Sequence, residues 1–128
     1  MKRLTLAAFA ALLVVALAGC GGSTVYTLDR SKTCLTQRSV PIGGPLSFVA
    51  STATGGAFRA NLKGNFVQVA FGDTVKSGVD IENAYQRFAL PNVRAGLPDV
   101  LKRYNNAVTL WHAHPSDSDL ALIVGCLR

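Results

Sequence analysis

His112-Ala113-His114-Pro115-Ser116-Asp117-Ser118-Asp119 holds both histidines of this 128-residue chain and two of its aspartates. On a β-strand, residues two apart point to the same side, so His112 and His114 can offer two imidazoles to one metal ion. Asp117 or Asp119, just beyond the strand, can add a carboxylate. Three such ligands with an open fourth position make a catalytic zinc site. Zinc is therefore the one cofactor these residue types bring into view. The same residues also have a purely structural reading. His112 shares a strand face with Val108 and Leu110, and Ser116, Asp117, Ser118 and Asp119 are ordinary turn formers. Trp111 falls on the opposite face, where it anchors a core or a partner.

Other chemistry finds little support. There is no G-x-S-x-G elbow and no G-x-x-x-x-G-K-[ST] phosphate loop. Gly55-Gly56, after Ser51-Thr52-Ala53-Thr54, reads as a flexible turn. The net charge is +6, but basic residues neither cluster nor interleave with aromatics, so no nucleic-acid partner is expected. His112 to Ser116 resembles the His-x-His-Pro segment of the JAMM-type metalloproteases. That resemblance implies two zinc-binding histidines, a later aspartate ligand and an upstream glutamate as general base. The chain departs from the pattern: its sole glutamate is Glu82, on an amphipathic helix rather than an upstream strand, and no Ser-x-x-Asp lies at the family's distance beyond the proline.

Location is more legible than chemistry. Lys2 and Arg3 precede an unbroken run of apolar and small residues from Leu4 to Ala18, and Leu17-Ala18-Gly19-Cys20 follows. A charged head, an apolar middle and small residues before a cut make a secretory signal. The run is shorter than the roughly 20 apolar residues needed to span a bilayer. With cysteine next in line, the segment resembles a bacterial lipoprotein precursor. That resemblance implies cleavage before Cys20 and acylation there by a diacylglycerol and usually a second chain such as palmitate. The domain would then face the extracytoplasmic side of the cell membrane or outer membrane. Residues 1–19 are thus read as signal peptide, 20–23 as lipidated cysteine and short tether, and 24–128 as one domain. Loss of Lys2 and Arg3 lowers the net charge to +4.

With Cys20 taken by lipid, Cys34 and Cys126 remain, and an exported chain most simply pairs them. Neither lies in a C-x-x-C or beside a histidine.

The elements that must position these groups follow from periodicity. Residues 29–39 read as a short helix capped by Asp29, and 40–45 as loop. Leu46 to Ala50 reads as a strand. Phe58, Ala60 and Leu62 alternate, as do Val67, Val69 and Phe71, and Lys63-Gly64-Asn65 joins them as a three-residue hairpin connection. Ser77-Gly78-Val79-Asp80 has capping-box spacing. Ile81, Ala84, Tyr85 and Phe88 then form one helical stripe, ended by Pro91. Pro98 opens a helical turn over Asp99 to Tyr104, closed by Asn105-Asn106. Ala107 to Ala113 and Leu120 to Leu127 read as strands. The fold class is α+β: a small single domain, an antiparallel sheet with two main helices packed on one face, and one disulfide.

Few catalytic groups and a short tether point to a non-enzymatic, membrane-anchored envelope lipoprotein. Its domain would bind another envelope protein or a small ligand. The alternative is a metal-binding protein or zinc-dependent hydrolase using His112 and His114. A third possibility is a structural lipoprotein that packs between membrane and wall. A binding domain requires an exposed apolar patch, on the sheet or around Trp111. A metal site requires the imidazoles and a carboxylate to converge.

Overall fold

A computed structural model describes residues 25–128. The expected signal segment, the Cys20 acylation site and the tether lie outside the described residues.

The sheet is built from two hairpins. β1 (Ala57–Leu62) and β2 (Asn65–Phe71) pair antiparallel, as their alternation requires. Leu62 is already opposite Asn65, so the connection is Lys63-Gly64, one residue shorter than expected, with Gly64 at φ 75°. β3 (Leu101–Tyr104) and β4 (Ala107–Trp111) form the second hairpin around Asn105-Asn106, Asn105 taking φ 53°. β2 also pairs antiparallel with β4, giving the order β1-β2-β4-β3.

Among the described residues six helices surround this sheet: α1 (Leu28–Gln37), α2 (Phe48–Ser51), α3 (Val75–Phe88), α4 (Pro91–Arg94), α5 (Leu97–Val100) and α6 (Asp117–Gly125). Register sorts the core into two halves. Phe58, Ala60, Val67, Val69, Phe71, Ala107 and Trp111 share one face, and Leu35 of α1 and Ile123 of α6 pack on it. Ala70, Val108 and Leu101 look the other way, against Val49 and Ala50 of α2, Ile81 and Tyr85 of α3, and Leu97. The α+β class, the antiparallel sheet and the disulfide are as expected. The helices cover both faces rather than one, because the strands bury side chains on both sides.

Three segments took a different form from their expected one. Leu46 to Ala50 is not a strand: Ser47 accepts a hydrogen bond from the Ala50 N–H and starts α2. Leu120 to Leu127 is not a strand either. Ser116 accepts from the Asp119 N–H, and the carboxylates of Asp117 and Asp119 sit in the positive first turn of α6. The expected turn 99–104 divides, since Pro98 does open a helical turn (α5) but Leu101 onward pairs with β4. Smaller shifts concern caps. α1 is capped by Thr27 rather than Asp29, and α3 starts two residues before Ser77, with the Thr74 Oγ1 accepting from the Ser77 N–H at 3.1 Å.

Cys34 on α1 and Cys126 at the C-terminal cap of α6 form the disulfide, with Cα atoms 5.4 Å apart. It ties helix to helix. In the turn between β3 and β4, the buried Asn106 fastens the start of the domain. Its Oδ1 accepts from the Tyr26 N–H, and its Nδ2 donates to the carbonyls of Tyr26 and Gly72. Gly78 lets α3 press on this turn, because a Cβ there would lie 2.7 Å from the Asn105 carbonyl oxygen and the Asn106 Cα. The outer edge of β1 is partly covered: Asn61 N–H donates to the Pro41 carbonyl, and Gly43 N–H to the Arg59 carbonyl. The outer edge of β3 is four residues long and carries Lys102 and Arg103. The described residues contain a four-stranded sheet, two core halves and a disulfide, which is what an independently folding domain requires.

Candidate functional site

An open groove of about 390 Å³ lies where α2, the end of α3 and α4 meet over β4. Its floor is Leu110, with Tyr85 and Leu97 beside it and Phe48, Phe88 and Val93 on its walls. Sequence builds it by leaving elements short. α2 runs only one turn from its Ser47 cap, which turns Phe48 outward. α3 ends at Phe88, and Pro91 starts α4 within three residues, so the chain bends before anything covers the last apolar turn. Phe48 is 72% exposed, Phe88 63%, Leu90 65% and Val93 49%. The two phenylalanines meet edge to face at 6.3 Å.

Polar groups in the groove are few and occupied. The Ser47 Oγ and Tyr85 hydroxyl lie 3.4 Å apart, and the Ser47 N–H donates to Gln68 Oε1 at 2.7 Å. Burial pushes the Tyr85 hydroxyl above the ordinary phenol pKa, only partly opposed by its hydrogen bond to Ser47. Tyr85 therefore stays neutral below pH 10 and presents a ring and an O–H. Nothing in the groove is arranged as nucleophile and base. It can shelter apolar surface from water and orient it with one or two hydrogen bonds.

The metal candidates do not converge. β4 ends at Trp111 and the chain bends at 112–113, so the period-two argument stops short of His114. His112 stacks its ring on Phe66 at 4.6 Å, and Arg59 lies over the same Phe66 ring at 3.6 Å. Asp117 and Asp119 are drawn into the first turn of α6. Among the described residues no group of three or more His, Cys, Asp or Glu side chains is placed to hold a metal. The four residues His112, His114, Asp117 and Asp119 thus do not form a catalytic zinc site as arranged, and Glu82 instead faces Arg103 at 3.6 Å.

Trp111 is 2% exposed and belongs to the core half under α1 and α6. The apolar patch that a binding domain requires is therefore not around it, nor on an open sheet face. The sequence reading puts Phe48 in a strand and Phe88 in an apolar helical stripe, and neither placement foresees its exposure. The visible signal was Phe88-Ala89-Leu90-Pro91-Asn92-Val93, whose apolar residues continue past the point where proline ends the helix.

No family model, curated protein or solved structure matches the chain.

Proposed function

We propose that this chain is a membrane-anchored envelope lipoprotein whose folded domain is a non-catalytic binding module. The observation that carries the binding role is the groove walled by Phe48, Phe88 and Val93, three exposed apolar side chains, with exposed Leu90 following the lining residue Ala89 in the chain. Isolated exposed apolar residues are ordinary on a folded surface, whereas a contiguous cluster marks an interaction site. The anchor rests on the residues from Lys2 to Cys20 and on the disulfide, which suits an oxidising compartment. No helix among the described residues is long and apolar enough to cross a membrane.

Two measurements test the two halves separately. In a bacterial host fed labelled palmitate, the full chain is expected to take up label and Cys20→Ser to lose it. Label on both, or on neither, overturns the anchor. For the groove, residues 21–128 are expected to enhance the fluorescence of anilinonaphthalene sulfonate, a dye that brightens on apolar surfaces. Phe48→Ser/Phe88→Ser is expected to abolish most of that signal while melting like the parent. Equal signals from parent and variant overturn the groove as the binding site.

A further inference from the structure

We propose that the occupant of this groove and its rim is the surface of an anionic bilayer, against which the anchored domain lies on its side. This names the partner of the binding site above and, for the native cell, rests on the anchor at Cys20.

Charge is the first argument. Segments 40–53 and 83–98, which bear the groove, contain no aspartate or glutamate, and their only charged residues are Arg87 and Arg94. Both arginines are exposed, in the last turns of α3 and α4, next to Phe88 and Val93. A neighbouring cleft that shares Leu97 with the groove is lined by Arg94, Lys102 and Arg103 and by Glu82, which faces Arg103 at 3.6 Å, so its lining is net positive. Exposed aromatic and aliphatic side chains edged by arginines are what a bilayer interface accepts: the apolar groups enter the acyl boundary and the guanidiniums meet anionic head groups. The walls also suit a surface better than an enclosed ligand, since Phe48 and Phe88 are each well over half exposed.

Reach is the second argument. The tether enters the domain at Tyr26, which Asn106 holds beside Gly72, close to the start of α3. From Val75, α3 carries the chain about 20 Å to Phe88. An acylated Cys20 is joined to residue 25 by a chain that spans at most about 18 Å. The domain therefore cannot leave the bilayer, and Phe88 reaches it when α3 lies along the membrane plane. Once that close, burying the four apolar side chains in lipid is favoured over leaving them in water.

The test uses residues 20–128 carrying Phe48→Trp, with the disulfide intact. The one free thiol, Cys20, is coupled to a maleimide lipid in phosphatidylcholine vesicles with or without phosphatidylglycerol. Trp111, in the core under α1 and α6, supplies a constant background. With phosphatidylglycerol present, Phe48→Trp emission is expected to shift to the blue and to be quenched by brominated acyl chains. In the untethered domain, Phe48→Ser/Phe88→Ser is expected to lower vesicle partitioning by about tenfold or more. Arg87→Gln/Arg94→Gln is expected to lower it on the anionic vesicles alone. Absence of quenching in the tethered protein overturns the proposal. So does partitioning unchanged by the phenylalanine pair, or a solution dimer that the pair dissolves, which would make a second copy the occupant. Chemical tethering keeps this outcome independent of the palmitate result, so failure of the anchor and failure of the face are distinguishable.

Discussion

Asn106 carries more of the fold than its type suggests. Its side chain is fully buried and holds three backbone groups from two distant segments. Truncation leaves the Tyr26 N–H and two carbonyls without that partner, and stranded buried polar groups cost about 1–3 kcal/mol each where water cannot reach them. Asn106→Ala is expected to destabilise the domain by about 3 kcal/mol in urea denaturation, and a loss below about 1 kcal/mol would show that water replaces the amide. The sequence marked Asn105-Asn106 as a chain reversal but not which asparagine turns inward, because that depends on a segment 80 positions away. Its strand face left Trp111 to a core or a partner, and the structure assigns it to the core. Phe48 and Phe88 were not readable as surface, because exposure is decided by what neighbouring elements leave uncovered.

At the level of elements, alternation proved a sound guide where turns agreed with it. The β1–β2 hairpin has the expected facing residues, differing by one residue in its turn. Short apolar runs were the weak point, since Leu46 to Ala50 and Leu120 to Leu127 suit strand or helix equally. Caps decided both. Ser116-Asp117-Ser118-Asp119 precedes an apolar run with the serine–acid spacing of a helix start, and the structure uses it so. Ser116→Ala is accordingly expected to cost about 1 kcal/mol, with a lower melting temperature followed by circular dichroism. A neutral result would assign the start of α6 to the buried Pro115 and the core instead of the cap. One of the misread elements borders the groove: taking α2 as a strand hid the outward turn of Phe48.

On the scale of the whole molecule, the disulfide joins the two helices that cover one face of the sheet, closing a loop across a separation of 92 residues. Its placement was legible from cysteine count and compartment, whereas its helix-to-helix character was not. In the chain-entropy model such a closure is worth about 4–5 kcal/mol. Cys34→Ser/Cys126→Ser is therefore expected to lose stability of that order in urea titrations, and a loss under about 1 kcal/mol would mean that the two cores suffice. The covered edges of the sheet have a consequence for recognition. Pro41 to Gly43 already occupy outward-facing groups of β1, and β3 is short and doubly cationic. Such blunted edges resist strand addition and the edge-to-edge aggregation it seeds. On the proposed anchoring, domains crowded at a bilayer would touch side by side without joining their sheets.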